Sequence, residues 1–136
     1  MDIDERLQQG SFELGDLSLC RVYFKDHIDY PWLVLVPLVK DVSELYQLTE
    51  PQQSALMSDI TQASQLIKQY FVVDKINVAT LGNMVAQLHI HVVGRRGSDP
   101  LWPHGIWQAE LLPNPYPSPI SVIADLKQSR LFKNSS

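Results

Sequence analysis

Gln87, His89 and His91 occupy every second position of the run Gln87-Leu88-His89-Ile90-His91-Val92-Val93. In a β-strand that period puts the three polar side chains on one face and Leu88, Ile90 and Val92 on the other. Three side chains that can hold a phosphate or a metal thus stand in a row, and a strand anchored by its apolar face fixes the imidazoles rigidly against a ligand. The same residues also fit a surface strand that happens to carry two histidines. Just upstream, Gly82-Asn83 fits two readings equally. One presents backbone N–H groups and an amide to an anion beside the histidines; the other is a plain hairpin turn.

A metal centre needs at least one ligand more than His-x-His supplies. His27, His104, Cys20 and Asp26 are available, but none has helpful spacing, so no metal is expected. Cys20 lies in an apolar, strand-like run and is expected to be a packed thiol rather than a nucleophile. As the single cysteine it cannot form an internal disulfide.

The elements that must hold these residues can be read around them. The 136 residues are 45% hydrophobic and 19% charged, with a formal net charge of −4. This describes one domain spanning 1–136, large enough to bury a core. Its charge gives no basic stripe for nucleic acid or an anionic membrane, while a small anion held by local donors remains compatible. The absence of a leader-like or long apolar run places the chain in the cytoplasm.

Ile3 and Leu7 mark an N-terminal helical turn within about residues 1–10, ended by Gly10. Gly15-Asp16 reads as a turn, Leu17 to Phe24 as a strand, and Trp32 to Val36 as a strand covered on both faces. The last two form a hairpin around the polar loop Asp26-His27-Ile28-Asp29. Asp41 or Ser43 caps a short helix through Tyr46. Thr49-Glu50-Pro51-Gln52 then opens a long helix ending near Phe71. Leu56, Ile60, Ala63, Ile67, Tyr70 and Phe71 form its core stripe, and Gln53, Asp59, Gln62, Gln65 and Lys68 its solvated face. Ile76 to Leu81 is a further strand before the histidine strand. From about residue 98 the chain is an extension rich in Pro and Trp, with a last helix capped by Ser118. That extension fits a lid over the site, a dimer contact or a surface wrap.

The run Gly82-Asn83-Met84-Val85-Ala86-Gln87-Leu88-His89-Ile90-His91-Val92-Val93-Gly94-Arg95 resembles the signature of the histidine triad (HIT) superfamily, Gly-Gln-x-Val-x-His-φ-His-φ-His-φ-φ. Phe24-Lys25-Asp26, Tyr30-Pro31-Trp32, Asp74-Lys75-Ile76-Asn77-Val78 and the Trp102-Pro103/Trp107 tail are similar to its bacterial diadenosine tetraphosphate hydrolase-like branch. The resemblance implies an α+β fold: a small antiparallel sheet with one long and one short helix, plus the C-terminal segment and helix. It also implies a homodimer. The chemistry it implies is nucleotidyl transfer through a covalent intermediate on His89, whose other ring nitrogen is held by a backbone carbonyl. His91 and Asn83, with backbone donors at Gly82, would meet the phosphate. Asp26 would hold the ribose, and Asn77 would stand near a second phosphate-side amide. The ligand is a small nucleotide, with no cofactor beyond a divalent cation that can accompany it.

Two positions depart from the signature. Gln87 replaces the first histidine, and Met84 stands where relatives commonly carry Ser or Thr. Gln cannot act as an acid and Met cannot hydrogen-bond a leaving group usefully. Loss of a general acid costs on the order of 10²-fold for a poor leaving group. The expectation is therefore activity on dinucleoside polyphosphates or activated nucleotides and weak activity on amine leaving groups. The alternative is a nucleotide-binding protein with little or no catalysis.

Overall fold

The computed structural model describes residues 1–132. Asp4 opens the first helix, α1 (Glu5–Gln8), by accepting the Arg6 N–H at 2.9 Å. Gly10 follows at φ +65, a left-handed conformation that favours glycine. Strand β1 (Ser11–Asp16) comes next, where the sequence pattern suggested a turn at Gly15-Asp16. Glu13 pairs with Tyr23 and Gly15 with Val22 of the next strand, so Leu14 is an extra, bulged residue absorbed without ending the ladder. The actual turn follows β1: the Leu17 N–H donates to the Cys20 carbonyl at 2.8 Å.

Strands β2 (Cys20–Lys25) and β3 (Trp32–Pro37) form the expected hairpin, and all six residues of β3 are buried. The expected short helix is one 3-10 turn, Leu45–Gln47. Neither proposed residue caps it: Asp41 is left-handed at φ 58, while Gln47 Oε1 accepts from the N–H groups of Ser43 and Glu44. Helix α2 (Glu50–Tyr70) starts on a capping box between Thr49 and Gln52 with Pro51 in the first turn. Strands β4 (Lys75–Ala79) and β5 (Ile90–Arg95) complete an antiparallel sheet in the order β1-β2-β3-β5-β4. Helix α3 (Pro119–Lys127) and a 3-10 turn (Arg130–Phe132) close the described chain.

The sheet separates two apolar layers. On one side Leu56, Ala63, Leu66 and Ile67 of α2, with Leu126 and Phe132, cover Val22, Phe24, Leu33, Leu35, Ile90 and Val92. Each Leu or Ile buried this way contributes about 2 kcal/mol. The helix stripe differs from expectation at two points. Tyr70 is exposed, and Asp59 is fully buried rather than solvated. Its carboxylate accepts the N–H groups of Ser18, Leu19 and Cys20 at 3.1, 2.8 and 2.9 Å, fastening α2 to the β1–β2 turn.

The second layer, Leu7, Tyr23, Tyr30, Trp32, Val34, Val36, Val85, Val93 and Ile106, lies on the opposite face, and the site is built there. At the end of β5, Arg95 is buried and makes a bidentate pair with Asp99 at 2.8 and 3.0 Å. Asp99 also accepts from the N–H groups of Arg96 and Trp102. The C-terminal segment is thereby turned back across the second layer. Among the described residues no helix is long and apolar enough to cross a membrane.

Candidate active site

The period-two reading of the histidine run holds for its faces and overstates its strand. β5 begins only at Ile90, so Gln87, Leu88 and His89 belong to the preceding loop. Leu88, Ile90 and Val92 enter the helix-covered core, while His89 and His91 face the second layer. Their rings meet edge to face with centroids 5.1 Å apart.

Each ring is oriented by one fixed bond. His89 is buried, and its Nδ1 lies 2.7 Å from the Gln87 carbonyl oxygen. A carbonyl only accepts, so Nδ1 carries the proton and the lone pair of the neutral ring is on Nε2. Thr80 Oγ1 donates to the His89 carbonyl at 2.8 Å and holds the backbone there. In His91 the polarity is reversed: Nδ1 accepts from Trp32 Nε1 at 3.0 Å, which leaves the proton on Nε2. Burial, helped by neighbouring His89 and Lys25, pushes the His91 ring down to about 3, so it stays a neutral donor at physiological pH.

These rings line a cleft of about 460 Å³ with Gly82, Asn83, Met84 and Val85 on one side. Gly82 takes φ +74, and β4 and β5 are joined by a long loop rather than the plain hairpin turn that Gly82-Asn83 also allowed. The opposite wall is Ile106, Trp107, Ala109 and Leu111 of the C-terminal segment. Of the three uses open to that segment, the structure shows it as a wall of the cleft. Trp107 stacks near His91 with centroids 5.3 Å apart and meets Trp32 edge to face at 6.5 Å. Its indole N–H is buried without a hydrogen-bond partner among the described residues.

Lys25 is the cation of this cleft. Its Nζ lies 5.3 Å from the Trp32 ring centroid, and burial lowers its pKa. Lys25, Trp32 and Leu111 also line an adjoining hollow of about 200 Å³ with Asp26 and His27.

Thus His89, His91, Asn83 and Gly82 are brought together. Asp26 stands next door, with Oδ1 accepting the Tyr116 N–H at 2.8 Å. Asn77 is used elsewhere: its Oδ1 accepts from Arg95 Nη1 at 2.9 Å. Gln87 is not among the residues lining the cleft, because its side chain turns to the N-terminal arm. Lys25, Trp32 and Trp107 were missed as site residues. Trp32 follows Pro31 at the head of β3 and could have been found by its place on the histidine face. Trp107 is remote in sequence, and its only signal was that its Pro- and Trp-rich segment fitted a lid over the site among other uses.

The other metal-capable residues are dispersed. Cys20 is a packed thiol whose pKa is raised by burial, and His27 bonds the Leu112 carbonyl at 3.1 Å. Among the described residues no group of three or more His, Cys, Asp or Glu side chains gathers that could hold a metal ion.

An α+β sheet carrying two oriented imidazoles beside a glycine-asparagine loop defines a histidine-triad-like class of protein. The chain belongs to the HIT family: the HIT domain model matches residues 6–98. Solved structures agree over nearly the whole chain. A histidine triad protein of Bradyrhizobium japonicum is 35% identical with a TM-score of 0.86, covering 96% of this chain and 97% of its own. One from Sinorhizobium meliloti is 34% identical with a TM-score of 0.85, covering 92% and 93%. One from Marinobacter aquaeolei is 35% identical with a TM-score of 0.86, covering 99% and 98%. A comparison with curated proteins finds no match. HIT proteins are generally nucleotide hydrolases or transferases.

Proposed function

We propose that this protein cleaves dinucleoside polyphosphates or activated nucleotides at the α-phosphate, as in the diadenosine tetraphosphate hydrolase-like branch. The observation that carries the reading is the opposed orientation of the two rings. His89 presents a free Nε2 lone pair, and His91 beside it presents an Nε2–H.

In the first step His89 Nε2 attacks the α-phosphorus, forming a P–N bond as the P–O bond to the leaving phosphate breaks. The electron pair departs on that oxygen. The Nδ1–H stays on the Gln87 carbonyl and keeps the nucleophilic nitrogen aimed. His91, Asn83 and Lys25 supply donors and charge to the non-bridging oxygens as the phosphorus becomes five-coordinate. Water then attacks phosphorus, the P–N bond breaks with its electron pair returning to His89 Nε2, and the water proton passes to solvent as the nucleoside monophosphate leaves. Asp26, in the adjoining hollow, is the ribose contact. A divalent cation can enter with the polyphosphate.

No acid stands at Gln87 or Met84, so the leaving group must depart as a stable anion. Turnover of a simple alkyl phosphoramidate equal to that of a dinucleoside polyphosphate would sink this preference. The replacement of the first histidine by Gln87, together with Met84, favours a second reading, a binding protein without useful catalysis. Incubation with labelled diadenosine tetraphosphate and intact-mass detection separates the two. Hydrolysis through His89 gives a nucleotidyl increment that is lost in His89→Asn, whereas binding alone gives none.

We place the protein in the cytoplasm as a homodimer. Among the described residues β4 is an edge strand of the sheet with no further strand paired to it, and Val78 is exposed on it, which suits a meeting with a second copy. By contrast, α3 and the 3-10 turn that follows it pack against β1 at the other edge.

A further inference from the structure

His89 is aimed by a carbonyl whose own residue is held from outside the site. Gln87 Oε1 accepts from the Asp4 N–H at 2.8 Å, and Gln87 Nε2 donates to the Asp2 carbonyl at 3.1 Å. A residue in a parallel ladder likewise bonds the carbonyl before its opposite number and the N–H after it. The Gln87 side chain thus acts as a strand rung for the arm Met1–Asp4, centred on Ile3, which packs against the second layer.

Neither Glu nor His in its place could make this pair of bonds. A carboxylate only accepts, and an imidazole points its two ring nitrogens apart. A planar amide presents donor and acceptor side by side.

The arm has a second hold on the same loop. Arg6 Nη1 donates to the Met84 carbonyl at 3.2 Å, while its Nε and Nη2 bond the Asp4 carboxylate at 3.1 and 2.8 Å. Segment 84–87 is therefore tied at both ends to residues 2–6. Residues 80–89 lie in neither helix nor strand. The peptide that carries the Gln87 carbonyl is held on one side by the Leu88 N–H, which donates to the Val42 carbonyl at 3.0 Å, and on the other by the Gln87 side chain on the arm. The HIT domain match begins at residue 6, so most of this brace lies ahead of it.

We propose that Gln87 and the N-terminal arm form one positioning device, in which the amide grips the arm so that the Gln87 carbonyl aims the His89 ring. Glutamine in the first histidine position is then an orienting residue and not a weakened acid. This rests on His89 as the nucleophile.

The test follows formation of the nucleotidyl-His89 adduct from diadenosine tetraphosphate in a single turnover, with kcat, KM and melting temperature measured alongside. The variants are Gln87→His, a chain lacking residues 2–4, the two combined, and Gln87→Glu, which keeps the Asp4 bond and loses the Asp2 bond. Gln87→His and the truncation should each slow adduct formation by roughly tenfold with KM changed less than about threefold. The combined variant should be no slower than either alone. Gln87→Glu should fall between Gln87→His and the wild type, and it carries the test if the truncated chain fails to fold.

Adduct formation at the wild-type rate in Gln87→His and Gln87→Glu overturns the proposal, as do losses that multiply in the combined variant. Faster turnover of an alkyl phosphoramidate by Gln87→His also overturns it, since that would make the position an acid site. Absence of any adduct in the wild type instead overturns the nucleophile reading beneath it.

Discussion

The indole N–H of Trp32 donates to Nδ1 of His91, and this bond decides which nitrogen of His91 can face a phosphate. Trp32→Phe keeps an aromatic ring at the head of β3 and removes the donor. His91 Nδ1 would then be free to take the proton, leaving Nε2 without one in part of the population. Turnover of diadenosine tetraphosphate should drop about tenfold, mainly in kcat, with a stability loss of about 1–2 kcal/mol from the unpaired acceptor. Steady-state kinetics checks this; an unchanged kcat would remove His91 from the phosphate-facing role.

The depressed titration of His91 makes stability depend on acidity. An unfolded imidazole titrates near 6.5, whereas burial with His89 and Lys25 nearby holds the folded His91 at about 3. Between those values the unfolded chain binds a proton that the folded chain refuses, so stability falls as pH drops through the window. The contribution is intact at neutral pH, and the loss reaches on the order of 3 kcal/mol near pH 4. Urea denaturation near pH 7 and near pH 4 should show a shallower fall in His91→Gln than in the wild type. Equal falls would mean that other groups account for the acid sensitivity.

Asp59 joins the helix layer to the β1–β2 turn through three backbone donors. Asp59→Ala leaves those N–H groups without their acceptor and should cost about 3–4 kcal/mol by urea denaturation. Asp59→Asn retains one acceptor oxygen and should cost about half as much. Because Asp59 lies on the face away from the cleft, kcat measured well below the melting temperature should stay within about twofold. A large kcat change with stability intact would contradict that separation.

Period and capping made much of the fold legible. The alternation Leu88/Ile90/Val92 against His89/His91 fixes the two faces of the site, and the Thr49/Gln52 box marks the start of α2. β1 escaped notice because Gly15-Asp16 has turn chemistry, and only pairing with β2 shows the bulge at Leu14. Asp59 was assigned to solvent by its charge; its burial depends on a turn 40 residues earlier, contacted through Leu19. At the site, local sequence pointed to His89, His91, Gly82 and Asn83. Asn77 and Gln87 had suitable chemistry, but Arg95 and the N-terminal arm occupy their side chains. Lys25, Trp32 and Trp107 join the cleft through strand order and the path of the C-terminal segment, which no short motif encodes.

The Arg95–Asp99 pair gives this layout a division of labour. The strand that carries the histidine ends at the same buried guanidinium from which the Trp107 segment departs, so both sides of the cleft share one anchor. Beyond that anchor Trp107 packs beside His91, while Ala109 and Leu111 carry the same wall onward. Changes at Ala109 and Leu111 therefore reshape the cleft while the ring beside His91 stays in place.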